Sequence, residues 1–324
     1  MYTFQEIESI IKRSVCAIDF PKEPSTLYEP LEYMLAIGGK RLRPRLCLTT
    51  FTLFKDNIDN DIILPALSLE LFHTFTLIHD DIMDNSDIRR GVPTVCKKWG
   101  ADAAILSGDA MAITAIQFMQ GYKGPEFRKI IELLTDTEMK VIEGQQYDMD
   151  FEDMQVIVMD DYLKMIGLKT AALIACSARM GAVIAGAPDQ VCDALYEFGY
   201  QLGMAFQITD DYLDTFGDAT VFGKKIGGDI ENNKKTWLLV ECQKLATGED
   251  RTALEALMAQ QDDMPAKVAA VQALYKKLKV DSKAIEAIGQ YHDKAMKALD
   301  DAGLDDAQRA CLEEFARAMV YRKY

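Results

Sequence analysis

Apolar residues recur at three- and four-residue intervals along almost the whole chain, while the period-two alternation typical of strands is weak. Leu71, Phe75, Ile78 and Ile82 form one such stripe. The stretch "PDQVCDALYEFGYQLGMAFQITDDYLD" (188–214) opens on a proline suited to a first helical turn and runs on without another. This pattern predicts helices nearly throughout and an all-α fold. Breaks are expected at 54–62, 120–126, 185–189 and 246–251. The longest break, 216–235 ("FGDATVFGKKIGGDIENNKK"), holds four glycines and four lysines. Connections of that length inside a compact domain often serve as lids or binding loops. No composition shift or flexible linker divides the 324 residues, so one large helical domain over 1–324 is expected.

Composition narrows the function classes. A hydrophobic content of 49% suffices for a sizeable core. Seven cysteines, odd in number and never spaced as CxxC, argue against a disulfide framework or a structural zinc site and for a reducing compartment. Neither a signal peptide nor an uninterrupted apolar span of about 18 residues is evident, so a cytoplasmic protein without a transmembrane segment is expected. The net charge of -15 disfavours nucleic acid, whose binding rests on neutralising phosphates with Lys and Arg. A small anionic ligand stays compatible, because positive charge is concentrated locally. Lys40, Arg41, Arg43 and Arg45 fall together, Arg89 and Arg90 are adjacent, and Lys224, Lys225, Lys234 and Lys235 share the glycine-rich break.

"LIHDDIMD" (77–84) and "QITDDYLD" (207–214) carry one DDxxD signature, 130 residues apart. On a helix, positions i and i+4 face the same way, so Asp80 points with Asp84, and Asp210 with Asp214. The first face extends back through Leu77, Thr76 and His73, the second through Gln207. Carboxylates this close repel, which raises the pKa of some of them unless a cation intervenes. Hard divalent cations are the natural partner, and Mg2+ in particular combines a few carboxylates with substrate phosphates. One such motif reads equally well as a solvated acidic patch. Two copies, each ending an apolar helix and each followed by basic residues, favour metal binding.

"GGKRLRP" (38–44) places Lys40, Arg41 and Arg43 after two glycines that free the backbone. It is either a phosphate-binding segment or the solvated start of the helix that follows; arginine's planar fork matches phosphate oxygens, and lysine acts as a point charge. Arg89 and Arg90 have an alternative as surface ion-pair partners of Asp84 and Asp87. His73, two turns before Asp80 on its stripe, suits diphosphate contact, whereas His79 turns away and reads as structural. "GLKTAAL" (167–173) offers Lys169 and Thr170 at the mouth of an apolar helix, readable as a helix start or a phosphate contact.

Taken together, "GGKRLRP", "LFHTFTLIHDDIMDNSDIRRG", "GQQYD" (144–148), "GLKTA", "QITDDYLD" and "GKKIGGDIENNKKTW" (223–237) resemble the trans-isoprenyl diphosphate synthases of the polyprenyl synthetase family. The motifs occur in family order from about residue 33 to 240, and the ordered set is specific where no single motif is. The resemblance implies an all-α bundle around a central cavity, a homodimer, and condensation of isopentenyl diphosphate with an allylic diphosphate (dimethylallyl, geranyl or farnesyl) to release pyrophosphate. It implies Asp80, Asp84 and Asp210 as Mg2+ ligands, for three ions, with Asp81 and Asp214 in support and Asp211 completing the second motif. Arg89, Lys169, Lys224 and Lys234 would bind the allylic diphosphate, with Thr170 and Gln207 lining the reaction centre. Lys40, Arg43, His73 and Arg90 would hold isopentenyl diphosphate. Closure over the site is expected from 216–235 and from the basic end "YRKY" (321–324).

In this family, bulk just before the first motif stops the growing chain. Phe75 lies five residues before Asp80 and Thr76 four, and "HTFTLIHDDIMD" is similar to geranylgeranyl-type synthases, implying a C15–C20 product. Ideal helix geometry puts Thr76 below Asp80 but swings Phe75 about 140° away, so its floor role rests on the resemblance. A longer-chain polyprenyl diphosphate synthase is an alternative. So is a class I terpene cyclase or squalene-type synthase, although these need no isopentenyl site. An HD phosphohydrolase would require more than the three histidines present, and a non-catalytic regulatory subunit would have eroded aspartates.

Overall fold

Helices make up nearly all the regular structure. The computed structural model describes residues 2–217 and 226–320; Lys224, Lys225 and the segment 321–324 lie outside them. Two compact units emerge, one of Met1–Glu138, Leu173–Tyr196 and Asp301–Phe315, the other of Met139–Ala172, Glu197–Asp300 and Ala316–Tyr324.

The first unit begins with α1 (Phe4–Cys16), α2 (Ser25–Ala36) and α3 (Leu42–Thr52). Thr3 and Glu6 form a reciprocal capping box that fixes the start of α1, whose Ile7, Ile11 and Val15 are buried at four-residue spacing. The long α4 (Asn60–Met83) is capped by the Asp59 side chain. Glu70 is the one Asp, Glu, Lys or Arg between Asp61 and Asp80, so α4 can be buried on most sides. It packs closely on α6 (Ala101–Gln120) through a stripe of Ala104, Gly108, Met111, Ala115 and Met119. Small residues bring the axes together: a Cβ at Gly108 would lie 2.2 Å from His79 Nε2. The Ser68 hydroxyl donates to the Ala115 carbonyl at 2.7 Å. On the far side of α6, Leu106 and Ile113 stay exposed.

Between α4 and α5 (Val95–Trp99) the chain forms a β-hairpin, β1 (Ile88–Arg89) with β2 (Val92–Pro93), paired Ile88 to Pro93 and Arg89 to Val92. Two-residue strands are too short to produce alternation, so the hydrophobic pattern missed them. The turn residues Arg90 and Gly91 both have positive φ, 52° and 79°, as a type I′ turn requires.

The rest of the chain continues as α7 (Phe127–Glu152), α8 (Met159–Ile166), a π turn (Gly167–Ala171), α9 (Ala172–Ala185), α10 (Asp189–Phe216), α11 (Gly228–Glu231), α12 (Trp237–Leu245), α13 (Gly248–Ala259), α14 (Met264–Lys277), α15 (Val280–Asp301) and α16 (Asp306–Val320). "GLKTA" is not the start of a helix, as its position before an apolar run suggests; it interrupts one helical run, Met159–Ala185, with a wider turn. The break expected at 246–251 shrinks, because α13 already begins at Gly248. Two helical runs, Asn60–Met83 and Met159–Ala185, are long and apolar enough to cross a membrane by composition, but their apolar windows are 61% and 78% buried within the protein. All seven cysteines are free.

Candidate active site

In the first unit the last turn of α4 carries Asp80, Asp81 and Asp84, with Asp84 as the C-cap. The helix dipole is negative at that end, so three carboxylates there are unfavourable without a nearby cation. Asp80 is half-buried and Asp84 exposed, one turn apart on the same side. Asp81 turns inward and is buried; both its oxygens accept from Arg89 Nε at 2.8 Å, and Arg89 Nη2 approaches Oδ1 at 2.7 Å. Asp87, the other aspartate considered for the arginines, pairs with Lys97 instead.

The hairpin sends the two adjacent arginines different ways. Arg89 reaches Asp81, while Arg90, on the turn, donates from Nη1 to the Gly38 carbonyl. The segment 38–41 is held in left-handed or glycine-only conformations at Gly38 (φ 82°), Gly39 (φ 141°) and Arg41 (φ 49°). A Cβ at Gly39 would sit 2.5 Å from Arg90 Nη1. Arg41 is committed to structure: it donates to Glu70 Oε1 at 2.5 Å and to the Leu35 carbonyl at 2.7 Å, with Glu70 buried and Arg41 largely so. Exposed Lys40 and half-buried Arg43 flank it. Burial, and then the charges of Arg43, Arg90, Arg89 and Arg41, hold the His73 imidazole well below its ordinary pKa. His73 is therefore neutral at pH 7, within electrostatic reach of four guanidinium groups. In a chain of net charge -15, this local concentration of positive charge favours an anion.

Next to it on α4, Thr76 donates to the His73 carbonyl at 2.8 Å. Phe75 packs on Phe72, with ring centroids 5.5 Å apart, and edge-on against His79 at 4.8 Å. His79 Nε2 lies 3.1 Å from the Ile105 carbonyl. As helix geometry predicts, Phe75 and Asp80 occupy different faces.

The second unit repeats the arrangement at the end of α10. Asp210 and Asp214 are half-buried and Asp211 is buried. Asp211 Oδ2 accepts from the Tyr162 hydroxyl at 2.6 Å and the Trp237 amide at 2.8 Å, and Oδ1 accepts from Gln207 Nε2 at 3.0 Å. Burial pushes its pKa up to about 6 against these three donors. Gln207 Oε1 in turn accepts from the Thr170 hydroxyl at 2.8 Å. Lys169, also in the π turn, donates to Asp148 Oδ2 at 2.5 Å. The π turn is clasped by glycines: a Cβ on Gly144 would lie 2.3 Å from the Lys169 nitrogen, and one on Gly203 2.6 Å from Ala171 Cα. Asp214 Oδ1 accepts from the Asp229 amide at 2.9 Å, and the Asp229 carbonyl accepts from the Lys234 amide at 2.9 Å.

Each unit thus offers outward carboxylates beside anchored cations, an arrangement suited to a polyanion that brings its own metal. The sequence model of the polyprenyl synthetase family matches residues 24–278, which takes in both aspartate motifs, "GGKRLRP", the paired arginines and the lysines of 216–235, but not the basic end 321–324. The chain belongs to the polyprenyl synthetase family. It is 40% identical over 220 residues to a geranylgeranyl diphosphate synthase of Methanosarcina mazei, covering 67% of each chain. It is 38% identical to a geranylfarnesyl diphosphate synthase of Aeropyrum pernix, covering 72% of this chain and 75% of that one. A solved geranylgeranyl pyrophosphate synthase superposes with a TM-score of 0.94 at 36% identity, covering all of both chains.

In this polyprenyl synthetase, three residues that the motifs leave unassigned brace candidate residues within their own unit: Glu70 fixes Arg41 in the first, and Asp148 fixes Lys169 and Tyr162 fixes Asp211 in the second. Glu70 was detectable as the single charge in an apolar helix, and Asp148 closes the "GQQYD" motif; Tyr162 carries no local signal. Among the described residues, no three His, Cys, Asp or Glu side chains converge as a ready-made metal site. Pairs of carboxylates one turn apart instead suit a hard divalent ion whose coordination is completed by substrate oxygens.

Proposed function

We propose that this chain condenses isopentenyl diphosphate head-to-tail (1′-4) with an allylic diphosphate, giving an all-trans prenyl diphosphate of C15–C20 and pyrophosphate. The observation that carries this reading is the gathering of basic groups in the first unit, where Arg90 reaches the Gly38 carbonyl beside Arg41 and Arg89 pairs with Asp81, with His73 on the same face of α4 as Asp80 and Asp84. A class I terpene cyclase or squalene-type synthase has no use for such a second anion site. The family model running through both units supports treating residues 1–324 as one functional domain.

Asp80, Asp84 and Asp210 would hold the Mg2+ ions, for which the family resemblance implies three, and Asp214 would support them. Mg2+ supplies the charge that lets the allylic diphosphate leave. Arg89, Lys169 and Lys234 place fixed positive charge where the leaving group becomes more negative, and such charge needs no reorganisation during the reaction; Lys224, outside the described residues, is assigned to the same diphosphate by the family resemblance. Asp81 and Asp148 aim two of those groups by pairing with Arg89 and Lys169. Thr170 and Gln207, already linked to each other, present a preorganised polar edge to the reacting carbon. Lys40, Arg43, Arg90 and neutral His73 bind isopentenyl diphosphate, bringing its double bond within reach of the allylic cation. The departing pyrophosphate takes the final proton, so no side-chain base is assigned. The exposed Leu106 and Ile113 of α6, two turns apart, form the seam of a homodimer, and the protein acts in the cytoplasm.

Incubation with Mg2+, isopentenyl diphosphate and each of the C5, C10 and C15 primers, followed by sizing of products, tests the reading. Pyrophosphate release with a C15–C20 product is expected, and no release with any primer overturns it. Relatives named for geranylgeranyl and geranylfarnesyl products are about equally similar, so chain length rests on Phe75. Phe75→Ala should lengthen the product by at least one five-carbon unit; an unchanged product removes Phe75 from that role.

A further inference from the structure

The strongest unexplained group in the second unit is Lys267, near the start of α14 and 1% exposed. An ammonium fully removed from water needs a reason, because its desolvation is costly. Its three donors find three acceptors: Asn233 Oδ1 at 2.8 Å, the Gln260 carbonyl at 3.3 Å and the Glu231 carbonyl at 3.5 Å. Two of these acceptors belong to the described end of the 216–235 break, and the shortest bond is to the residue preceding Lys234.

Asn233 is left-handed, with φ 53°, a conformation that asparagine adopts more readily than other residues with a Cβ. Its side chain is occupied at both ends, with Oδ1 accepting from Lys267 and Nδ2 donating to the Met258 carbonyl at 3.0 Å. The backbone on either side of Lys234 is pinned as well. The Lys234 amide donates to the Asp229 carbonyl and its carbonyl accepts from the Thr236 amide, both at 2.9 Å. The Asp229 amide reaches Asp214 of the second motif. Further contacts come from the same helix: a Cβ at Gly227 (φ +86°) would meet Val268 Cγ1 at 2.6 Å, and Gln272 donates to the Thr215 carbonyl at 2.6 Å. Helix α14 therefore clamps the end of α10 and the segment that carries Lys234.

The geometry points to Lys267 as a positioning residue: acting through Asn233, it sets the direction of Lys234 and so the affinity of the site for the allylic diphosphate. This rests on the proposed role of Lys234. Holding a charged group in its productive direction before substrate arrives is where such supporting residues act.

Steady-state kinetics of the full chain with Mg2+ test it. Lys267→Met keeps the stem and removes the ammonium; Asn233→Gly keeps the left-handed turn accessible and removes the amide, and carries the test should Lys267→Met fail to fold. Each should raise the KM for the allylic diphosphate about tenfold with the isopentenyl diphosphate KM unchanged, and Lys267→Met should add nothing to Lys234→Ala. Unchanged allylic KM values, losses that multiply with that of Lys234→Ala, or both substrates' KM values rising equally alongside a lower melting temperature would each overturn the inference while leaving the role of Lys234 standing. An unaltered allylic KM in Lys234→Ala itself would overturn both.

Discussion

Carboxylates wholly or partly withdrawn from water are costly, and this chain handles three of them differently. Glu70 is paired with Arg41, Asp211 is held by three neutral donors, and Glu138 has one buried oxygen without a hydrogen-bond partner. Removing one member of the Arg41–Glu70 pair strands the other, so Glu70→Leu or Arg41→Met should each cost about 3 kcal/mol in urea denaturation. The double substitution should recover most of that loss without restoring the isopentenyl diphosphate KM, because the turn at 38–41 loses its anchor; additive losses would show that the pair is not coupled. For Glu138, burial pushes the pKa from 4.5 up to about 7. An acid with a raised folded-state pKa weakens the fold when ionised. That penalty is absent below about pH 4.5, grows between there and about pH 7, and is complete above it. Glu138→Gln should therefore raise stability at pH 8, by on the order of 3 kcal/mol at most, and the gain should fade as the pH drops below about 4.5. A difference that does not vary with pH would contradict this.

At the scale of elements, the two aspartate helices are alike in placing their carboxylates at the unfavourable end of the helix dipole, and they differ in what flanks them. Beyond α4 comes a hairpin, which separates Arg89 from Arg90; beside α10 lies a π turn, which presents Lys169 and Thr170. Single π turns inside α-helices are often found at functional sites, and this one is held by direct backbone contact with two helices. Gly203→Ala would push a methyl group into Ala171 Cα, and neither backbone can move independently. A loss of about 1–3 kcal/mol is expected by thermal denaturation, together with a weaker allylic diphosphate KM. Gly289, in α15, has nothing within 4 Å of where a methyl group would stand and is the control: Gly289→Ala should stabilise by about 0.5–1 kcal/mol. Equal effects at the two positions would mean that close packing of the π turn is unimportant.

For the whole molecule, the proposed chemistry predicts that metal and diphosphate bind as a pair. Mg2+ alone must satisfy its coordination without phosphate oxygens, and pyrophosphate alone meets the carboxylates of either motif without a cation between. Mg2+ with inorganic pyrophosphate at about 100 times Kd should add about 2.7 kcal/mol of stability, either alone much less, and chelation should remove the gain; a full thermal shift with pyrophosphate alone would argue against shared metal. Much of this was legible in the sequence. The all-α fold, the pairing of Asp80 with Asp84 and of Asp210 with Asp214, and the distinction between His73 and His79 all follow from helical periodicity, which backbone hydrogen bonds between residues four apart impose locally. Partner choice is another matter. Arg41 finds Glu70 across 29 residues, Arg90 finds Gly38 across 52 and Tyr162 finds Asp211 across 49. Such pairings depend on which distant groups are buried together. Local pattern therefore determined where the charged clusters lie, and only tertiary packing decided which of their members turn inward to pair with distant groups and which stay half-buried or exposed.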